Sequence, residues 1–309
     1  MSVSSTGRDT PDGNATRRPS EFASLEAIPV TTDDNVTFVI RVLPQNDPTV
    51  PVALILPAMA LKAKFYLPLA KTLHASGLSV AMCDLRAQGE STPGLDKKSA
   101  FGYREILEVD FPAVIKAVRS RFPQAPLYLF GHSLGGQLSV LYAASAPEDV
   151  AGVCIIGAGS VYWKAFGPKR WEALWKIQTI GLVARLRGYW PGGMLIGGAM
   201  AGGVMIDWAR HSRTSRYQPR GTKRDYDQML SELAIPVLAI SLDGDRLGPR
   251  SNVDFLCGRM RSAKITPWHL DDSAGVAHLD HFEWIKDSGI IGSAAASWII
   301  DGQLPVPSR

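Results

Sequence analysis

Cysteine is scarce in this chain. Three residues in 309, Cys83, Cys154 and Cys257, lie far apart in the sequence. So odd and sparse a set excludes a disulfide framework and fits a reducing cytoplasm. Cys83 and Cys154 fall in apolar, strand-like runs and read as buried thiols. An excess of one charge is lacking too. Lys and Arg number 33 against 29 Asp and Glu, a net charge of +4. That gives no argument for a nucleic-acid partner, and neither zinc-finger spacing nor an RNA-binding aromatic signature is present. Residues 1–20 hold no apolar stretch of the secretory-signal kind. Their Ser, Thr, Asp, Arg and Pro read as a disordered tail, and Asp9 and Asp12 argue against a transit peptide. One long uncharged run occurs, residues 189–206, but Pro191 and three glycine pairs interrupt it. It makes a poor spanning helix, so no stable membrane insertion is expected.

What the chain does contain is a core. Apolar residues make up 46% and charged residues 20%, the balance of a globular protein. The length suits one α/β domain with an insertion. Residues 25–31 and 36–42 read as an antiparallel hairpin. Residues 51–56, 78–83, 127–130, 150–156 and 235–242 are apolar enough for strands covered on both faces. Helical spacing lies between them at 62–75, 103–122 and 137–145, and again near 251–261. This alternation predicts a mostly parallel central sheet with helices on both faces. It breaks between Ser160 and Gln228, a region holding Tyr162, Trp163, Trp171, Trp175, Trp190 and Trp208. The break reads as an inserted helical cap over the C-terminal sheet edge. The expected organisation is a tail at 1–22, core at 23–159, cap at 160–228 and core again at 229–309. The basic stretch 210–224 reads either as a solvated face or as a landing strip for an acidic substrate or the phosphate of a carrier-bound acyl group.

The most informative stretch is Gly131-His132-Ser133-Leu134-Gly135. A buried strand runs into it and a helix leaves it, the context of a nucleophile elbow. The turn forces Ser133 into a strained backbone, and the flanking glycines are needed because a Cβ would strike the neighbouring strand or helix. The amide of Leu134, opening the helix, then faces whatever Ser133 attacks. A neutral serine needs a base and a carboxylate to orient that base. With such an elbow these follow in the order acid, then histidine. After residues 237–242 two acids compete, Asp245 in the loop proper and Asp243 nearer the strand end; Asp245 is preferred. After the last strand, His278 and His281 both fall in the right window. His281 is preferred because it sits at a loop-to-helix junction just before Phe282 and Trp284. A metal site built on His269, Asp271, Asp272, His278, Asp280 and His281 is the weaker reading, for no H-E-x-x-H or cysteine pairing accompanies it. No metal and no cofactor is expected. The loop after the first central strand, Pro57-Ala58-Met59-Ala60, is placed to give a second oxyanion donor, the amide of Met59.

On these residues the chain resembles the α/β-hydrolase superfamily. Within it, the chain is similar to bacterial α/β hydrolases related to serine aminopeptidases and monoglyceride lipases. The resemblance runs from about Leu25 to Ile300. Besides the elbow it rests on Leu56-Pro57-Ala58-Met59, on Asp84-Leu85-Arg86 with Gly89 and Ser91, and on Val204 with Asp207-Trp208-Ala209-Arg210. Gly244-Asp245-Arg246 and Asp280-His281-Phe282-Glu283-Trp284 complete it. It implies a serine hydrolase with the triad Ser133, Asp245 and His281, and it supports those two choices over Asp243 and His278. Three departures bear on substrate and pocket shape more than on the triad. Pro57-Ala58 stands for the common His-Gly, Ala87 stands where glycine is usual, and His278 stands where a small residue is expected. The expected substrate is a small, largely apolar ester or thioester, free or carrier-bound, with oligomeric state left open. Two alternatives are an acyltransferase or cyclase using the same acyl-enzyme, and a non-catalytic ligand-binding protein on a hydrolase scaffold.

Overall fold

The computed structural model describes residues 20–97, 99–193 and 196–305. Of the expected N-terminal tail, residues 1–19 lie outside the described residues. The remainder corrects the boundary. Ser20 caps a short helix, α1 (Glu21–Ser24), and Phe22 is buried on the core.

The opening hairpin pairs β1 (Glu26–Thr31) with β2 (Thr37–Leu43), and β2 turns Phe38, Ile40 and Val42 inward at alternate positions. β3 (Val52–Leu56) is buried at every position, as its uninterrupted apolar run requires. A helix expected over 62–75 starts later. A 3₁₀ turn (Ala63–Tyr66) precedes α2 (Leu67–Ala75), and Phe65 points to solvent instead of joining Leu69 and Leu73. β4 (Ser79–Cys83) is again fully buried. The helix expected over 103–122 is broken into α3 (Tyr103–Glu105), a π-turn (Ile106–Asp110) and α4 (Phe111–Arg121). Pro112 cannot donate to an ordinary helical ladder. The ladder widens just before it, with the Phe111 amide reaching back to the Ile106 carbonyl. This turn buries Asp110 against the Arg86 guanidinium, which also pairs with Asp34.

β5 (Leu127–His132) leads into α5 (Leu134–Ser145), and β6 (Gly152–Ile156) follows. Between β6 and the next sheet strand come α6 (Arg170–Arg187), a small hairpin of β7 (Tyr189–Trp190) and β8 (Met200–Ala201), and α7 (Gly202–Thr214). The chain ends with α8 (Tyr226–Glu232), β9 (Pro236–Leu242), α9 (Arg250–Cys257), β10 (Lys264–Leu270) and α10 (Gly289–Asp301).

The eight-stranded sheet has the order β1-β2-β4-β3-β5-β6-β9-β10. Only the β1–β2 and β2–β4 pairs are antiparallel. One face is covered by α2 and α10 through Leu69, Leu73, Ile291 and Trp298, the other by α4, α5 and α8 through Val114, Leu138 and Leu230. From β3 the chain first winds toward β4, then returns past β3 to β5, β6, β9 and β10. The loops after β3 and β5 therefore diverge, opening the crevice where open α/β sheets bind ligands. The inserted helices α6 and α7 pack so closely that a Cβ on Gly181 would lie 2.5 Å from the Ala209 Cβ. Asp207 of α7 ties them to the core by accepting from the backbone amide of Tyr103 at 3.0 Å. Among the described residues no helix is long and apolar enough to cross a membrane.

Candidate active site

Ser133 sits at the β5-to-α5 corner with φ 52° and ψ −116°, a conformation that L-residues avoid. Packing enforces it. A Cβ on Gly131 would lie 2.4 Å from Gly136 Cα, and one on Gly135 would lie 2.3 Å from the Leu56 carbonyl oxygen. Only a backbone without side chains lets the corner approach β3 and close its own first helical turn.

His281 bridges the serine and an acid. Its Nε2 is 2.9 Å from Ser133 Oγ, and its Nδ1 is 2.7 Å from Asp245 Oδ2. An ionised carboxylate only accepts, so Nδ1 carries the proton and Nε2 is free to accept from the serine hydroxyl. The other oxygen of Asp245 accepts from the amides of Leu247 and Gly248 at 2.8 and 2.7 Å. Both acid and histidine are buried. Asp280 shapes the histidine turn by accepting from the amides of Phe282 and Glu283. Trp284 is buried beneath it, whereas Phe282 stays partly exposed at the cavity, and α10 begins only after a 3₁₀ turn (Glu283–Asp287).

The second-choice residues are not brought to the serine. Asp243 is exposed, with its carboxylate 3.7 Å from His269 Nε2, and His278 is exposed on the preceding loop. The acidic loop is engaged elsewhere, as Asp271 accepts from the amide and hydroxyl of Ser273. Among the described residues no group of three or more His, Cys, Asp or Glu is arranged to hold a metal ion.

Ser133, His281, Met59 and Leu134 line one cavity of about 310 Å³. Leu134 is the first residue of α5, where backbone amides lack intrahelical partners. The walls are mostly apolar, with Val161, Phe166, Ile177, Ile196 and Trp208 contributed by the segment between β6 and β9. Lys169, Glu172, Lys176 and Arg246 add charge, of which Lys176 pairs with Glu172. None of the basic residues of the stretch 210–224 lines this cavity.

Sequence reasoning missed the residues that hold the loop after β3. The hydroxyl of Tyr66, fully buried, accepts from the Ala58 amide at 2.9 Å and bonds His132 Nδ1 at 2.7 Å. Burial pushes the Tyr66 pKa up, so the phenol keeps its proton and donates it to His132. Burial, reinforced by neighbouring His281, holds His132 well below the usual histidine range, so its ring is neutral and able to accept. Asp84 grips the same region, accepting from the amides of Ala63 and Glu90 at 2.7 and 2.9 Å. Its carboxylate fills the space where Gly89 would carry a Cβ. The sequence signal for Tyr66 was slight, a tyrosine at a helix start eight residues beyond Ala58.

A mostly parallel sheet with a strained serine after its central strand, facing an acid-held histidine, defines an α/β hydrolase of the serine-hydrolase class. The chain belongs to the serine aminopeptidase S33 family, whose model matches residues 48–214. Solved structures share the fold at low identity. A complex of DcsB with its substrate analogue is 16% identical, covering 91% of this chain and 100% of that one, at a TM-score of 0.59. The thioesterase domain from the curacin biosynthetic pathway is 17% identical, covering 90% and 99%, at 0.56. Est1E from Butyrivibrio proteoclasticus, bound to ferulic acid, is 15% identical, covering 90% and 99%, at 0.59. Among curated proteins nothing matches the chain.

Proposed function

We propose that the protein hydrolyses an ester or thioester of a small, largely apolar molecule through an acyl-enzyme on Ser133. The observation that carries this reading is His281, held between Ser133 Oγ at 2.9 Å and Asp245 Oδ2 at 2.7 Å beside a mostly apolar cavity. Ser133 Oγ attacks the carbonyl carbon while His281 Nε2 takes its proton. The tetrahedral oxyanion is bound by the amides of Met59 and Leu134. Its collapse expels the leaving group, which takes the proton back from His281. Water then enters by the same route, activated by His281, and releases the acid. Asp245 keeps the imidazole in the accepting tautomer and stabilises its charged form. The apolar walls favour an aliphatic or aryl acyl group over a sugar or nucleotide.

The test is labelling of the purified protein with a fluorophosphonate probe, with Ser133→Ala as control, followed by a chain-length series of p-nitrophenyl esters. Labelling at Ser133 with turnover that peaks at one chain length is the expected result. Unchanged turnover in Ser133→Ala would overturn the mechanism.

A further inference from the structure

The cap helix α6 is two-faced in an unusual direction. Its inner face buries Ala173, Ile177, Ile180, Gly181 and Ala184. Its outer face should be polar on a surface helix. It instead exposes Trp171 and Trp175 at 62% each, Leu182 at 56% and Leu186 at 76%. Their spacings of four, seven and four residues put them on one stripe, about 22 Å long at 1.5 Å per residue.

Charge is gathered beside the stripe. Residues 160–228 hold twelve Lys and Arg against four Asp and Glu, while the rest of the chain holds 21 against 25. Four arginines, Arg185, Arg210, Arg213 and Arg220, line a groove between α6 and α7, and Leu182 lines it with them. The basic stretch that has no place in the active-site cavity thus adjoins the exposed apolar stripe. The cavity opens under the same helix, since Glu172, Ala173, Lys176 and Ile177 line it.

We propose that this face of the cap docks on a lipid surface rich in anionic headgroups. Trp and Leu along a helix, flanked by Arg and Lys, match the division of such a surface, whose acyl boundary accepts the rings and aliphatic chains and whose phosphates meet the guanidinium groups. Among the described residues no helix can span a bilayer, so the helix lies along the interface. A second copy of the chain is disfavoured as the occupant, because a two-fold contact through α6 would set the two arginine grooves close together. Docked in this way, α6 would lie between the lipid layer and the cavity that its inner residues Ala173 and Ile177 line.

The full chain is tested by co-sedimentation with phosphatidylcholine vesicles, with and without phosphatidylglycerol, at about 0.1 M salt and again at about 1 M salt. Binding to the phosphatidylglycerol vesicles, weakened at least about 10-fold by the higher salt, is expected. The variant Trp175→Ser/Leu182→Ser/Leu186→Ser should lose at least about 10-fold in binding, and Arg185→Gln/Arg213→Gln should lose most of the preference for phosphatidylglycerol. Both should keep wild-type kcat/KM on a water-soluble ester, because none of these side chains lines the cavity. Absence of binding by the wild type, binding indifferent to phosphatidylglycerol, or a wild-type dimer that the triple variant converts to a monomer would each overturn the proposal.

Discussion

Replacing Tyr66 by Phe removes one oxygen from the centre of the protein and leaves its ring in place. The ring meets His132 and Trp284 edge-on, at centroid distances of 5.9 and 6.4 Å, and those contacts survive. The hydroxyl, however, serves two buried partners at once, the Ala58 amide and His132 Nδ1. Each is left unsatisfied at a cost of about 1–3 kcal/mol, so the variant should lose about 2–6 kcal/mol of stability. Ala58 adjoins Met59, whose amide is proposed to bind the oxyanion. A loosened loop should lower kcat by at least about 10-fold, short of the 10²–10³ that complete loss of such a donor costs. KM should hardly move, since the apolar walls are untouched. The assay is guanidinium unfolding together with steady-state turnover of the best p-nitrophenyl ester. Tyr66→Phe combined with His132→Asn should cost less than the two singles summed, because both remove the same bridge. A variant within about 0.5 kcal/mol of the wild type, with kcat within about twofold, would refute the reasoning.

Other perturbations probe different parts of the molecule. In Asp245→Asn the amide oxygen keeps the Leu247 and Gly248 amides, and its NH₂ then faces His281 and forces the imidazole proton onto Nε2; kcat should fall on the order of 10⁴, whereas Asp243→Asn should change it little. Ala87 takes φ +61° where related sequences were expected to carry glycine, so Ala87→Gly should leave stability unchanged or raise it by up to about 1 kcal/mol in denaturant unfolding, and a loss larger than that would contradict the strain. His211, stacked on Tyr217 at 3.9 Å and bonded to Ser160 Oγ, has its pKa pushed down from 6.5 to about 3 by burial. Between those values the unfolded chain binds a proton that the folded chain refuses, so this contribution is complete above about pH 6.5 and is lost as pH falls, by up to about 1.4 kcal/mol per unit. His211→Gln should flatten the fall of unfolding free energy between pH 7 and pH 5 relative to the wild type, and an unchanged slope would count against a neutral buried ring.

Legibility in the sequence followed the strength of the local constraint. The elbow could be read because few arrangements suit glycines on both sides of a serine between an apolar strand and a helix. The parallel sheet could be read because strands buried on both faces need unbroken apolar runs, as in β3, β4 and β6. Periodicity failed where a long-range contact or a single proline decided the outcome. The π-turn before Pro112 lies inside a stretch that counts as continuous helix, and Phe65 fits the inward positions of a helix that begins only after it. The bridge through Tyr66 joins the loop after β3, eight residues before it, to His132, 66 residues after it, so no spacing rule shows it. On α6 the aromatics suggested a cap, yet which of them face inward depends on where α7 packs. Trp171 and Trp175 turn outward and Trp208 lines the cavity, a division that composition alone does not contain.

The serine and the histidine that faces it stand 148 residues apart, with the whole inserted cap between them. At synthesis rates of about 5–20 residues per second, roughly 7–30 s pass between the emergence of one and of the other. While the part of the chain that carries Ser133 waits for the rest, no base stands beside its hydroxyl, and on the proposed mechanism the nascent chain cannot form an acyl-enzyme. Reactivity begins with one of the chain's longest-range contacts, of the kind whose loop-closure entropy makes folding slow. A reagent that modifies only the activated serine would then count finished molecules and pass over collapsed ones, and the reaction centre would serve as a clock for the last step of folding.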